Sequence, residues 1–437
     1  MTDAGLLLRG ARRMDAATMP KADILIVDGT IQVIDSAGSL SASHLVDLDG
    51  AWMMPGVIDA HTHPIHRETF ATLGHAGPFG GVTTTLQHLY PEPRETLASA
   101  LERGRHGAAE SAADFGFHLR ITPERVETWG REVSDRDDVL AVKVFLAHGR
   151  PGISCSLGEL YEVMTAASRL GVPVIVHAEF GDVLIRHERL AGPASDLRAF
   201  DASRPSELEA ACVSAVCALA HLTGSKAYIA HVSSALALQA AIAARAVGAS
   251  VLVETCTHYL FLDHDLPLGG LAKVTPPLRS KNDVALLREG VVAGDVDVIA
   301  SDHCGYGPDE KSYRLEESDN GVPGIELLLP LLLDAVVRED WLNHRQLVRI
   351  LSSGPADAFG LAAKGRLAPG MDADVVVIDP GASRTVHDDQ LHDVSFYSPY
   401  TGYELHGGIS GVYRRGDLLV RDGELVNGGG GRLVTRR

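Results

Sequence analysis

Histidine and aspartate recur where apolar runs give out: Asp59-Ala60-His61-Thr62-His63, His177-Ala178-Glu179, Ala230-His231-Val232-Ser233-Ser234 and Ser301-Asp302-His303. The run before each reads as a β-strand. Side chains two residues apart on a strand project to one side, so His61 and His63 reach the same space. Imidazole nitrogens and an anionic carboxylate converging on one space describe a site for a zinc-class divalent metal. A single histidine of this kind is more simply a hydrogen-bonded loop or core residue. Four of them with an aspartate, at the ends of strands one, five, six and eight, are harder to explain that way. Other histidines, such as His75, His88 and His118, lack this placement and read as structural or solvated.

Lys143 lies within the apolar run Val139-Leu-Ala-Val-Lys143-Val-Phe-Leu-Ala147. An ammonium buried there is costly and has its pKa driven down. Two readings are open. The lysine pairs with a carboxylate, or its neutral amine adds carbon dioxide to form a carbamate whose two anionic oxygens bridge two metal ions.

The elements that must hold these groups follow from the alternation of β-rich and amphipathic helical runs between Trp52 and about Gly360. Strands are expected at Met53 to Ala60, Gly81 to Leu89, Phe115 to Ile121, Val139 to Ala147, Val172 to Ala178, Ala227 to Val232, Ser250 to Cys256 and Val296 to Ala300. Helices are expected at Arg94 to Glu110, Leu157 to Leu170, Ser206 to Leu222 and Ala235 to Ala246. Eight strand–helix units make an α/β fold, a TIM (β/α)8 barrel, whose functional groups collect at the carboxyl ends of the strands. The flanks carry short β segments with Asp-Gly turns at Asp28-Gly29 and Asp422-Gly423. Residues 1–54 and 365–437 are therefore expected to build a small β-sandwich domain beside a barrel of residues 55–364. The run Gly428 to Gly431 reads as the start of a flexible tail.

The chain has 437 residues, with 39 Lys plus Arg against 57 Asp plus Glu, a net charge of −18. A nucleic-acid or anionic-membrane partner requires a basic face, so the acidic balance argues for a small-molecule partner and against both. The five cysteines form no CxxC pair and are odd in number, as expected of reduced thiols in the cytoplasm. The N-terminal run Leu6 to Leu8, with Asp3 before it, is too short for a secretory leader, and no apolar stretch reaches the ~18 residues of a membrane span.

The motifs together resemble the amidohydrolase superfamily, and within it the cyclic amidohydrolases: hydantoinase or dihydropyrimidinase, allantoinase and dihydroorotase. The resemblance runs through Pro55-Gly56-Val-Ile-Asp59-Ala-His61-Thr-His63, Lys143-Val-Phe-Leu, Val176-His177-Ala-Glu179, His231-Val-Ser-Ser, Glu254-Thr-Cys-Thr-His258-Tyr-Leu, Thr275-Pro-Pro-Leu-Arg279, Ser301-Asp302-His303 and Gly321-Val-Pro-Gly-Ile-Glu326. It implies two divalent metal ions, usually zinc. His61, His63 and Asp302 would hold one, His177 and His231 the other, with carboxylated Lys143 and a hydroxide between them. It implies hydrolysis of a cyclic amide C–N bond, with Asp302 as general base and then acid, and a homo-oligomer, dimer or tetramer. Thr275 and Asn320 match substrate-contacting positions of hydantoinases. His148 stands where they place a tyrosine that stabilises the oxyanion. Against dihydroorotases, the arginine expected two residues after His-x-His is Ile65, no asparagine follows strand two, and Tyr306 replaces a histidine. Arg67, His88, His148 and Tyr306 are candidate specificity residues. The reading of another class, a non-catalytic dihydropyrimidinase-like scaffold, would have lost metal ligands, and all six are present.

Overall fold

The computed structural model describes residues 5–48 and 50–436; Asp3 lies outside them. The core is a parallel sheet of nine segments: Val57–His66, Val82–Leu89, Asp114–Arg120, Val139–Phe145, Val174–His177, Ala227–Ile229, Val251–Cys256, Val298–Ala300 and His303–Gly305. The first eight follow chain order, and the ninth returns beside the first, His303 opposite Thr62. The last two segments are halves of one strand broken at Asp302, whose φ of +49° is left-handed. Eight strand positions therefore close a barrel, in agreement with the alternation in the sequence. Strand four is buried on both faces from Val139 to Val144, which is why its sequence is continuously apolar.

The helices between strands have local causes. Leu157–Leu170 starts at Ser156, whose hydroxyl accepts the Glu159 N–H (3.2 Å) while the Glu159 carboxylate accepts the Ser156 N–H (2.6 Å). This is a reciprocal capping box. Among the described residues, no helix is long and apolar enough to cross a membrane.

Segments from both termini form a second nine-stranded sheet. Trp52–Pro55 joins its two halves, pairing with Leu6–Arg13 on one side and Val375–Thr385 on the other. The expected strand Met53 to Ala60 is thus two strands in two sheets, hinged at Gly56. A Cβ there would lie 2.0 Å from Thr83 Oγ1 and 2.9 Å from Asp374 Cβ, so only glycine permits the crossing. A buried ion cluster ties the sheets together. Lys364 Nζ meets Asp114 of barrel strand three (2.5 Å), Asp374 (2.7 Å) and Asp372 (2.8 Å), and Arg415 also binds Asp114.

The C-terminal glycine run differs from its expectation. Gly431 donates to Ser111 O (2.8 Å), Phe115 N–H donates to Arg432 O (2.9 Å) and Val434 N–H to Phe115 O (2.8 Å). Val434 packs with Ile58, Ala60, Leu86 and Leu140, and Arg436 Nε donates to Val139 O (2.9 Å). The glycines let the chain pass where a Cβ at Gly431 would fall 2.2 Å from Ala113 O. Removing residues 431–437 is expected to destabilise the fold by roughly 3 kcal/mol, from one buried valine and several lost hydrogen bonds. An unchanged urea midpoint would show that this segment does not hold the barrel.

Candidate metal centre and its cavity

Ile58 and Ala60 face the apolar barrel interior. Strict alternation would turn His61 and His63 outward, but the ladder with strand two slips between Asp59 and Thr62. The irregularity shifts the parity, and both imidazoles enter the interior. Lys143, His177, His231 and Asp302 arrive there from strands four, five, six and eight. His231 and Asp302 have left-handed φ of +43° and +49°, a conformation rare outside glycine and typical of functional positions held by their surroundings.

The nitrogens and oxygens of these residues come together in two groups. Asp302 Oδ1 lies 2.8 Å from His63 Nε2 and 3.2 Å from His61 Nε2. His177 Nδ1 faces His231 Nε2 at 3.1 Å. Two ligands of a tetrahedral zinc, each at 2.0–2.1 Å, stand about 3.3 Å apart, so both groups have the spacing of donors round a cation. His61 Nε2, His231 Nδ1 and Lys143 Nζ are buried without a hydrogen-bond partner. A carboxylate pairing of Lys143 within 4 Å is thus not made among the described residues; its Nζ lies over the Phe145 ring, 5.0 Å from the centroid, and Glu254 and Asp302 act on it only at longer range.

Three of the four rings are anchored through the outer nitrogen, and His231 through its backbone. His61 Nδ1 donates to Glu254 Oε1 (2.7 Å), and the same oxygen accepts the His231 backbone N–H (2.9 Å). His177 Nε2 donates to Glu179 Oε2 (2.8 Å), itself held by Arg204 (2.6 Å). His63 Nδ1 meets the Tyr90 hydroxyl. Such outer partners set the tautomer and ring orientation of metal-binding histidines. Burial pulls His63 down to about 4, lowers His177, and puts His231 well below the usual imidazole range, so these rings are neutral at pH 7. Burial works against the Asp302 carboxylate, but His61 and His63 outweigh it and hold its pKa well below normal. Burial brings Lys143 from 10.5 to about 8.

The centre opens into a cavity of about 1820 Å³, and His148, Thr275 and Asn320 line it beside the six convergent residues. His148 Nδ1 accepts the Arg150 N–H (3.0 Å), which leaves Nε2 as its donor. Burial, then His177 and Arg120, pull its pKa to about 4, so it is a neutral imidazole. Arg67 and Tyr306 are not on the wall. Arg67 pairs with exposed Asp309 (2.8 Å), while Tyr306 lies behind Asn320 and donates to its carbonyl. His88 is neither solvated nor hydrogen-bonded: it is buried against His61 and His63, ring centroids 4.4 and 4.8 Å away, with both nitrogens unpaired. Tyr90 and Glu254 are functional partners that residue spacing did not identify. Glu254 carried the same signal as Lys143, a charge inside an apolar strand.

A barrel with imidazole, carboxylate and lysine at its carboxyl mouth defines a class of metal-dependent hydrolases, and the chain belongs to the amidohydrolase family, whose profile matches residues 52–419. Within it, the chain is similar to an allantoinase of Rubrobacter xylanophilus, 34% identical with 94% of each chain covered. It is similar to a dihydroorotase of Halobacterium salinarum, 32% identical with 95% of this chain and 99% of that one covered. The solved structure of D-hydantoinase from a Bacillus sp. superposes with a TM-score of 0.92 at 32% identity, covering 99% of both chains.

Tyr90→Phe removes the hydroxyl at His63 Nδ1 without changing the ring. Divalent-metal affinity is expected to fall by roughly tenfold or more. Chelator competition measures it, and an unchanged constant would free His63 of any dependence on Tyr90.

Proposed function

We propose that the protein hydrolyses the C–N bond of a cyclic amide, of hydantoin, dihydropyrimidine or allantoin type, at a centre for two divalent metal ions, zinc by its donor set. His61, His63 and Asp302 would hold one ion, His177 and His231 the other, and Lys143, as its carbamate, would lie between them. The observation that carries this reading is the Lys143 amine, buried without an acceptor beside bare imidazole nitrogens. As an ammonium it is a buried charge without a hydrogen-bonded partner; as a neutral amine it adds carbon dioxide, forming an N–C bond and releasing one proton, and becomes an anion suited to cations. Bound metals supply Lewis acidity to a carbonyl and lower the pKa of a water.

The chain's own residues account for the rest. Asp302 contacts His61 and His63 through Oδ1, which leaves Oδ2 to take the proton of the attacking water and pass it to the leaving amide nitrogen. The neutral His148 donates towards the carbonyl oxygen as negative charge develops there, in the role the hydantoinase tyrosine has. Thr275 and Asn320 hold the amide edge of the ring. The product is the ring-opened carboxylate.

The test is hydrolysis of hydantoin, dihydrouracil, allantoin and dihydroorotate by zinc-loaded protein, with turnover of at least one ring expected and turnover of none overturning the reading. Asp302→Asn is expected to lower kcat by roughly 10²–10⁴-fold. Lys143→Ala is expected to hold fewer than two metals per chain by elemental analysis, and full occupancy would remove the carbamate. Because the Lys143 pKa is depressed to about 8, the reactive neutral amine grows as pH rises. At a fixed concentration of dissolved carbon dioxide, metal loading is expected to speed up roughly fivefold between pH 7 and 8, and a rate flat with pH under that condition would exclude the amine from loading.

A further inference from the structure

The hydrolytic residues leave one charged group of the cavity unused. Arg120 ends barrel strand three and lines the cavity wall. Its guanidinium makes no ion pair or hydrogen bond among the described residues, and its Nε is buried without a partner. Its Cζ lies 4.7 Å from the centroid of the Tyr90 ring, and the Tyr90 hydroxyl touches His63, so it stands one tyrosine ring away from the metal centre. The other guanidiniums buried at the cavity behave differently. Arg204 is paired with Glu179 and Glu188, and Arg279, behind the wall, with Asp201 and Glu209.

The surroundings of Arg120 do not neutralise it. Arg125 and Arg150 act on it with like charge, and Glu124, the carboxylate that acts against them, sits 3.9 Å from Arg125 instead. Burial lowers the Arg120 pKa, yet a guanidinium stays charged throughout the physiological range. A half-desolvated, planar, five-donor cation without an acceptor is complete only when an anion enters, and its fork matches a carboxylate bidentately. The Tyr90 ring face attracts the cation but supplies no acceptor to the fork.

We propose that Arg120 is the specificity residue of this cavity and receives a carboxylate carried by the substrate ring, so that the protein opens cyclic amides bearing an anionic substituent. This rests on the cyclic-amide reading above and names the substrate class within it. The ring would lie with its amide at the metal centre and its carboxylate beyond Tyr90. The cation comes from strand three, whereas the position two residues after His-x-His is the uncharged Ile65.

Two matched pairs isolate the carboxylate: dihydroorotate with dihydrouracil, and hydantoin-5-acetate with 5-methylhydantoin. Zinc-loaded wild-type protein is expected to favour the carboxylate member of at least one pair in kcat/KM. Arg120→Gln should lower that preference by roughly 10–100-fold, mainly through KM, the value of a hydrogen-bonded charge pair. Arg120→Lys, which keeps the charge but not the fork, should retain part of it. An equal loss on both members would make Arg120 only a support for Tyr90 and overturn the proposal, as would an unchanged preference. If wild-type protein with both metals opens none of the four rings, the cyclic-amide reading fails. Calorimetry of the open-chain N-carbamoyl-aspartate then still tests the arginine: binding lost in Arg120→Gln and partly kept in Arg120→Lys supports the carboxylate site, and equal or absent binding in all three overturns it.

Discussion

Lys143 Nζ, His61 Nε2 and His231 Nδ1 are polar atoms sealed in a barrel that offers them no hydrogen-bond partner. An unsatisfied buried polar atom is among the more expensive features a fold can carry, and here several occur within one small volume. The arrangement persists because each ring is fixed from behind: Glu254 grips His61 and the backbone of His231, Glu179 grips His177, and Tyr90 meets His63. Lys143 Nζ and His61 Nε2 are therefore bare donors at the mouth of the barrel, which is what a divalent cation requires of a site.

Holding such a site needs a frame that cannot relax around it. The apolar plug below the centre, with Ile58, Leu86, Tyr228, Val298, Phe359 and Val434, closes the opposite mouth of the barrel. The cluster of Lys364 with Asp114, Asp372 and Asp374 locks strand three to the sheet built from the chain ends. A buried ion cluster of this kind contributes little net stability, since desolvation offsets attraction, but removing one member would strand the others. Its value is positional: it fixes the strand that ends in Arg120, so that metal donors and the unpaired guanidinium keep a set separation across the cavity.

Much of this was legible in the residues. Continuous apolar runs marked the buried strands, and the helix Leu157–Leu170 was visible from its amphipathic run, because amphipathicity is local. The strand-end histidines were legible because parallel strands bring their carboxyl ends to one mouth. The anchoring roles of Glu254 and Tyr90 were not legible because they exist only through partners distant in the chain; Glu254 is 193 residues from His61. The glycines before the C-terminus suggested a loose end because composition records freedom of the backbone and not the groove that uses it. His88 read as structural or solvated, and only the fold decides for buried, because its neighbours His61 and His63 belong to another strand.

The amino-acid sequence by itself determined the barrel, the family and the six residues that converge, since periodicity, strand-end position and motif spacing are properties of the chain. Tertiary structure alone decided that a slip after Asp59 turns His61 and His63 inward, that the Lys143 amine has no carboxylate to meet, and that Arg120 faces the cavity unpaired. Those outcomes depend on ladder register and on what lies opposite each side chain. Contacts between residues on different strands, 25 positions apart for Thr62 and Gln87 and 193 for His61 and Glu254, set both, and no local pattern encodes them.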